Sequence, residues 1–498
     1  MKWLFSALIL LFYSSYSYSQ NRTNIMMHGY DVWQFNNFIL NHTVDTFYAS
    51  SVYQKVGYEL TTSTSISDSS GNFILASNGI FIENANHDTL LNSIDFNPGW
   101  ITDQSIQNNF GLWIGGPQCV IILPYPGHSN LYAVFHESAE YLDNHGFPDS
   151  QPMFLGMSVV DMNLDNGLGG IPDSLKTIHV MDDTLMFGRI TACKHANGRD
   201  WWIVVRHVDS NIYFKFLLTP KGVTGPFTQT IGVGGPVNDI VGEACFSPDG
   251  KWYATCGNDN RLNIFRFDRC SGDFFDPRFV QVPNANPFNS FDDQVYGNAF
   301  SPNSQLLYIV RYTSLLQYNL LIDSMIQVAS WDTFYSPTKT VFAMAQIENN
   351  NKIFINTYGG SNIIHFINSP DSIGVSCDFI QNQFLLPDYN ANLPTFPNYD
   401  LGPLKLSPCD TLHNVPPSGS ISINPNPASS FINIEYNSDA DQQFNLYDIL
   451  GRKVGGIALY SVFKNRMLEV NDLPPALYLW EVTKQNAVVQ AGKIEVVR

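Results

Sequence analysis

The residues from Asp161 to Gly167 (DMNLDNG) place carboxylate and amide oxygens at alternate positions, which is how a calcium-binding loop begins. Their glycine comes one position late, and Pro172 stands where such a loop supplies a glutamate. A tight hairpin turn at Asn166-Gly167 accounts for the same residues more simply. The sequence therefore assigns no metal ligand to this segment.

Histidines and glutamates form two further groups that could do acid–base chemistry. The segment His136–Glu140 (HESAE) lacks the second histidine of a zinc-binding HExxH helix, so we expect a solvated loop there. His195, His207 and Glu243 flank apolar hairpins and could converge near a common axis as acid and base, although a lone strand histidine more often holds a structural hydrogen bond. The sequence contains neither a GxSxG elbow nor a phosphate loop. We expect no catalytic residue and no cofactor, with a hydrolase or lyase of extracellular polysaccharide as the alternative.

The composition favours a β-protein that does not bind nucleic acid. The 498 residues include 26 Lys and Arg against 44 Asp and Glu, so the formal net charge is -18 and phosphate backbones are repelled. Hydrophobic residues make up 44% of the chain and charged residues 14%, which excludes a disordered or coiled-coil protein. The length suits two or three domains at ~100–200 residues each.

The first residues of the chain have the features of a secretory signal peptide, predicted to span residues 1–19. Lys2 precedes the apolar stretch Trp3–Phe12, and Ser17-Tyr18-Ser19 places small residues just before Gln20. No later stretch approaches the ~18 apolar residues of a membrane helix, so we expect no membrane span. The seven cysteines lack CxxC spacing, which leaves room for one or two disulfides and predicts buried thiols for most of the others.

Six stretches between residues 55 and 413 share an apolar strand, a tight polar turn and a second apolar strand. The turns recur at steps of roughly 50 residues, close to the period of four-stranded propeller blades. A seventh blade can be completed by Phe35–Ser50 pairing with strands near Phe379–Phe396. Residues 20–413 are therefore predicted to form a seven-bladed β-propeller, with six blades as the alternative. The six stretches are Leu60–Ala76, Cys119–Phe135, Ile190–Arg206, Glu243–Cys256, Asn298–Arg311 and Ala343–Thr357.

The hairpin sequences follow one another in an order that resembles a known group of propellers. The segments that carry this resemblance are ISDSSGNFILASNGI (66–80), SVVDMNLDNGLGGI (158–171), ITACKHANGRDWWIVVRH (190–207), CFSPDGKWYATCG (245–257) and AFSPNSQLLYIV (299–310). They resemble the WD-repeat-like propellers of secreted Bacteroidetes proteins, including those labelled gliding-motility-associated. The resemblance covers roughly residues 60 to 400 and implies a fold but no reaction.

The last eighty residues are predicted to form a separate, small Ig-like β-sandwich. A linker rich in Pro, Gly and Ser at residues 414–420 precedes short alternating strands that run from residue 421 to residue 498. This tail is similar to the type A C-terminal sorting domain of the type IX secretion system. Ala476 stands where that family usually has glycine, which requires a negative φ at this position. The residues that carry the resemblance, and that we take as the sorting signal, are Pro425, Asn426, Pro427, Tyr447, Asp448, Gly451, Leu473, Tyr478 and Lys493.

The resemblance implies export across the periplasm and outer membrane to the cell surface or the medium, with the type IX machinery as partner. We expect the propeller to be a non-catalytic cargo that binds or adheres, and a structural or motility component of the surface is a further alternative. The long connections Asn84–Gly116 and Ser271–Gly297 are the candidate contacts for a carbohydrate or protein ligand, because the second combines Phe, Asn and Asp.

Overall fold

The computed structural model of the protein describes most of the chain from residue 21 onward. The signal peptide and the linker predicted at 414–420 lie outside the described residues. The described residues are 21–28, 36–42, 47–53, 62–108, 116–142, 149–235, 242–257, 259–283, 294–390, 393–404, 407, 409, 421–438, 440–463, 465–485 and 487–497.

The described residues before 391 form a two-stranded ribbon and seven larger antiparallel sheets, named blades 1 to 7 in chain order, which build a β-propeller. Blades 1 and 2 have three strands each: β1 (Ile25–His28), β2 (Asn36–His42) and β3 (Phe47–Tyr53), then β4 (Thr64–Ser67), β5 (Phe73–Ser77) and β6 (Ile82–Glu83). Helix α1 (Trp100–Asn108) follows. Blade 3 contains β7 (Val120–Pro124), β8 (Leu131–Glu137), β11 (Phe154–Asp161) and β12 (Ile178–Asp182), with a two-stranded ribbon of β9 (Glu140–Leu142) and β10 (Asp149–Gln151) inserted after β8.

Blades 4 to 7 have four strands each, paired in chain order. Blade 4 consists of β13 (Thr191–Lys194), β14 (Trp201–Arg206), β15 (Ile212–Thr219) and β16 (Gly222–Thr230); blade 5 of β17 (Ala244–Phe246), β18 (Trp252–Cys256), β19 (Arg261–Phe267) and β20 (Phe274–Gln281). Blade 6 consists of β21 (Val295–Phe300), β22 (Leu306–Arg311), β23 (Ser314–Asn319) and β24 (Ser324–Ser330); blade 7 of β25 (Phe342–Ile347), β26 (Ile353–Thr357), β27 (Ser361–Ile367) and β28 (Phe379–Asn390). Short 3₁₀ turns lie at Asp165–Gly167, Asp173–Leu175 and Gly374–Cys377.

The repeated hairpin sequence produces a repeated set of side-chain hydrogen bonds. In blade 5 the Ser247 hydroxyl donates to Asp249 Oδ1 at 2.7 Å and accepts the Trp252 amide at 3.0 Å. In blade 6 the Ser301 hydroxyl donates to Asn303 Oδ1 at 2.8 Å and accepts the Leu306 amide at 3.0 Å. Serine and Asp or Asn at these spacings therefore hold the turn between the two inner strands of each blade.

The first and last blades pack directly against each other and close the ring. Phe354 of blade 7 stacks on Phe366 with ring centroids 4.3 Å apart, and Phe47 of blade 1 meets Phe354 edge-on at 5.0 Å. Met26 and Leu40 of blade 1 are fully buried in the same cluster. The all-β propeller fold is confirmed, and apolar contacts between neighbouring sheets hold the blades together.

The strand pairing expected for ring closure is wrong. Strand β2 pairs with β1 and with β3, and β28 pairs with β27, so the described strands of Phe35–Ser50 and of Phe379–Phe396 belong to different blades. Each segment has a partner one short connection away, and such local pairing orders less chain than pairing the two ends of the propeller. Side-chain packing between complete sheets closes the ring instead.

Residues after 420 form a β-sandwich of two sheets that rests against the outer part of blade 4. One sheet contains β29 (Ile421–Asn424), β30 (Phe431–Tyr436) and β33 (Asn465–Glu469); the other contains β32 (Lys453–Leu459), β31 (Gln442–Tyr447), β34 (Ala476–Lys484) and β35 (Ala487–Val496). Among the described residues, the sandwich strands pair only with one another. Ala476 lies in an extended strand opposite Val496, so alanine fits this position without strain.

We expect Phe354→Ala to destabilise the propeller by about 3–5 kcal/mol, because the substitution empties the packing between blades 1 and 7. Phe275→Ala, on an outer strand where the ring is 47% exposed, should cost about 1 kcal/mol or less. Denaturant unfolding of the two purified variants checks this. Equal losses of stability would contradict ring closure by this cluster.

Candidate functional site

One end of the propeller channel opens into a pocket of about 230 Å³. Inner strands β13, β17, β21 and β25 contribute one side of it, and residues 395–401 cover the other. Gln118, Cys193, Cys245, Asn298, Gln346 and Phe396 are among the residues that line it. The pocket therefore combines amide groups, thiols and an aromatic ring on a rigid β-framework.

One wall of this pocket is formed by residues 393–404, which follow blade 7 and which we call the crossover segment. The Thr395 amide donates to the Ser63 carbonyl at 2.8 Å, and the Thr64 hydroxyl donates back to the Thr395 carbonyl at 2.8 Å. The Tyr399 hydroxyl donates to the Ile122 carbonyl at 2.7 Å, and the Leu404 amide to the Ala196 carbonyl at 2.8 Å. The crossover segment is thus bound to blades 2, 3 and 4.

A disulfide between Cys270 and Cys409 fixes the chain just beyond the crossover segment to the β19–β20 turn of blade 5. Arg269 in the same turn donates to the Gly402 carbonyl at 2.6 Å. The other five cysteines are free, and four of them are buried, as the sequence predicted for most of them. The covalent link and the hydrogen bonds together keep the pocket preformed.

Gln118 and Asn298 of the pocket are engaged in hydrogen bonds, and its two thiols are poor nucleophiles. Gln118 accepts the Ala244 amide at 2.8 Å and donates to the Ala244 carbonyl at 3.2 Å, across the channel. The Cys245 thiol donates to Asn298 Oδ1 at 2.8 Å. Burial raises the pKa of Cys193 to about 12 and raises that of Cys245 well above its usual value, so both remain thiols at neutral pH.

Glu243 lies next to the pocket and joins the inner strands of three blades. Its Oε2 accepts the Asn298 amide of blade 6 at 3.1 Å and the Ala345 amide of blade 7 at 2.9 Å. Burial raises the pKa of Glu243 to about 8, although the two amide donors oppose the shift. The side chain therefore connects the blades and is largely protonated at neutral pH.

The acid–base group that His195, His207 and Glu243 could have formed does not assemble. His195 precedes β14 and His207 follows it, which places the two rings at opposite faces of the propeller. His195 Nε2 donates to the Cys270 carbonyl at 3.2 Å, and its Nδ1 accepts the Asn197 amide. His195 is therefore a structural residue of a turn, away from Glu243.

The expectation of a solvated loop at His136–Glu140 is wrong. His136 and Glu137 belong to β8 and are fully buried; His136 Nδ1 bonds Asn97 Oδ1 at 2.8 Å, and Glu137 accepts the Gly188 amide at 2.8 Å. Burial lowers the pKa of His136 to about 3 and raises that of Glu137. Strand β8 therefore continues through these two polar residues, and each of them has one hydrogen-bond partner from a distant loop, Asn97 for His136 and Gly188 for Glu137.

The remaining expectations from the sequence concern connections between strands. Residues 162–177 form a long link between β11 and β12 instead of a two-residue hairpin at Asn166-Gly167, and Asp161 Oδ1 accepts the Asn163 amide at 2.9 Å. Within the described part of the chain, no three His, Cys, Asp or Glu side chains cluster as metal ligands. Much of the Ser271–Gly297 connection is the outer strand β20, and Asn84–Gly116 contains α1. Residues 284–293, where the second connection would contact a ligand, lie outside the described residues.

The residues predicted as the sorting signal gather mainly at one end of the sandwich. Asn426 Oδ1 accepts the Glu495 amide at 2.9 Å, and its Nδ2 donates to the Lys493 carbonyl, so Pro425-Asn426-Pro427 lies beside the terminal strand β35. Tyr447 is opposite Leu479, and Leu479 is opposite Lys493, in one row across three strands. The Tyr478 hydroxyl donates to the Pro474 carbonyl at 2.8 Å, and Leu473 packs against the sandwich core.

Comparison with known proteins identifies this last domain. Residues 422–496 match the family described as "Secretion system C-terminal sorting domain". The chain ends in a type IX secretion sorting domain. The protein is therefore a secreted propeller cargo of the type IX system, delivered to the cell surface or the extracellular space. No curated protein matches the sequence, and none of the described helices has the length and apolarity to cross a bilayer.

Solved structures resemble the chain at low identity. A "putative 6-phosphogluconolactonase" from Bacteroides uniformis shares 11% identity at a TM-score of 0.43, covering 74% of this chain and 97% of its own. A second protein of that description, from Bacteroides fragilis, shares 10% at 0.39 and covers 75% and 97%. The Dos1 propeller shares 9% at 0.34, covering 65% and 72%. At these scores the likenesses carry no argument about activity.

We expect Glu243→Gln to make thermal stability less dependent on pH. Because the pKa of Glu243 is near 8 in the fold and near 4.5 when unfolded, the native state loses stability as pH rises from 4.5 to 8. Glutamine keeps the acceptor oxygen but cannot ionise, so its advantage in Tm should grow by at least about 2 °C between pH 5 and pH 8.5. Calorimetry of both proteins at each pH measures this. A Tm difference that stays constant would contradict it.

Proposed function

We propose that the exported propeller is a non-catalytic binding module whose ligand enters the channel pocket. In this proposal residues 1–19 are the signal peptide, 20–413 the propeller, 414–420 a linker and 421–498 the sorting domain. The disulfide Cys270–Cys409 supports the boundary after residue 413, because it ties the chain to blade 5 up to residue 409. The function therefore divides between a cargo that binds and a domain that directs export.

The preformed pocket is the observation that carries the binding role. The crossover segment is held by hydrogen bonds to three blades and by the disulfide, so a ligand meets a wall that needs little ordering. Preformed concave sites with a few convergent polar groups are the usual form of a small-molecule or side-chain binding site. A pocket of about 230 Å³ suits one sugar ring or one peptide side chain.

The chemistry of the pocket supports binding over catalysis. Its thiols are protonated and its amides hold backbone groups, while the nearby Glu243 carboxyl spans three blades. Phe396, Phe246 and Phe300 offer apolar surface beside the amides of Asn298 and Gln346. This combination suits a carbohydrate or peptide, which it would hold by ring contact and hydrogen bonds.

We expect Gln346→Trp to weaken ligand binding, since the indole fills the pocket from β25 while the blade stays intact. The matched control is Gln327→Trp on β24, where the side chain is exposed and distant from the pocket. Glycan and peptide arrays, followed by calorimetric titration of the hits on both purified variants, should show at least about tenfold weaker binding for Gln346→Trp alone.

Three results would count against a binding module. Equal ligand affinity of both variants would show that the binding site lies outside the pocket. Release of new reducing ends from extracellular polysaccharide would support the hydrolase or lyase alternative. Concentration-dependent self-association without any array hit would support a structural or motility component.

A further inference from the structure

The sorting domain displays two large apolar side chains at the tip of one rigid turn. Ile449 and Leu450, between β31 and β32, are 70% and 75% exposed. Side chains of this size lose favourable burial free energy when they remain in water, so a contiguous exposed pair often marks an interaction site. We call residues 448–451 the sorting tip.

Hydrogen bonds within the sorting tip hold these two side chains in place. Asp448 Oδ1 accepts the Leu450 and Arg452 amides, both at 2.9 Å, and its Oδ2 accepts Arg452 Nε at 2.7 Å. Gly451 has φ +80°, a conformation that suits glycine, and its amide donates to the Asp448 carbonyl. The turn is therefore built by Asp448, Gly451 and Arg452, without help from the side chains of Ile449 and Leu450.

The sorting tip points away from the place where the sandwich meets the propeller. That contact is made by Phe463, beyond the far end of β32, and by β33, which packs against β16 of blade 4. A Cβ at Gly222 would lie 2.6 Å from Phe463, and the Tyr125 hydroxyl donates to the Val462 carbonyl at 3.4 Å. The seven residues of β32 separate the two ends by about 20 Å. The cargo therefore leaves the sorting tip open to a partner.

The same end of the sandwich carries the other polar groups of the sorting signal. The Tyr447 hydroxyl donates to Glu481 Oε1 at 2.6 Å, and Lys493 follows in the same row of the sheet. Leu477 and Leu479 add exposed apolar surface on this face. An apolar tip bordered by paired charges fits a protein pocket that is apolar in the centre and polar at the rim.

We propose that Ile449 and Leu450 at the sorting tip insert into an apolar pocket of the type IX export machinery and are the main contact by which the domain is recognised. Residues 422–496 match secretion sorting domains, which indicates the export machinery as the partner. The sorting tip is exposed, is held by its own hydrogen bonds and lies far from the propeller, which makes it a suitable contact. This inference concerns export alone and does not depend on what the propeller binds.

The test compares two double substitutions in the full-length chain, expressed in a host with type IX secretion. Ile449→Ser with Leu450→Ser removes the apolar tip and keeps the backbone bonds to Asp448. Leu321→Ser with Ile322→Ser is the matched control, because these residues are 70% and 69% exposed on a propeller turn whose Asn319 side chain also accepts the Leu321 amide. The fractions of protein in the periplasm and at the surface or in the medium are measured by immunoblot.

We expect the tip variant to accumulate in the periplasm with at least a tenfold loss of exported protein, and the control to be exported like the wild type. Ile449→Met with Leu450→Met, which keeps the apolar character, should restore export. Equal Tm values for the purified tip variant and wild type show that the domain is folded. Export of the tip variant at the wild-type level, failure of the methionine variant, or a change of oligomeric state as the tip variant's only defect would overturn the inference.

Discussion

Each blade of the propeller must bury both faces of its sheet against the neighbouring blades. This constraint determines where the protein can place residues that bind a ligand. The inner strands are almost wholly buried, and Glu243 joins three of them through backbone amides. Polar side chains within the sheets are therefore used to connect blades. Only turns, connections and the channel ends remain for recognition, which is where the pocket and the crossover segment lie.

Local features of the sequence were sufficient to predict the fold. The Ser-Pro-Asp-Gly type of turn at Ser247–Gly250 predicts a hairpin because its hydrogen bonds form within six residues, and the repeat of such hairpins predicts blades. The sorting domain was recognisable for the same reason, since Asp448 and Gly451 build their turn from neighbouring residues. Turns whose hydrogen bonds join neighbouring residues can be predicted from the residue types and their spacing.

The candidate site depends on contacts between distant residues, which explains why it could not be predicted. The crossover segment reaches Ser63, Ile122 and Ala196, and the disulfide joins residues 139 apart in the chain. Likewise, a solvated loop was predicted at His136 because its hydrogen-bond partner Asn97 is distant in the sequence. Burial decides the chemistry of such side chains, and burial is set by the whole ring.

We propose that the propeller and the sorting domain are separate units, and that the residues after 413 are sufficient to direct export. The most direct measurement attaches residues 414–498 to an unrelated β-lactamase behind the chain's own signal peptide and assays the enzyme on intact cells and in the medium. The account predicts that the fusion is exported, while the enzyme with the signal peptide alone stays in the periplasm. Periplasmic retention of a folded, active fusion would contradict it, because export would then require the propeller as well.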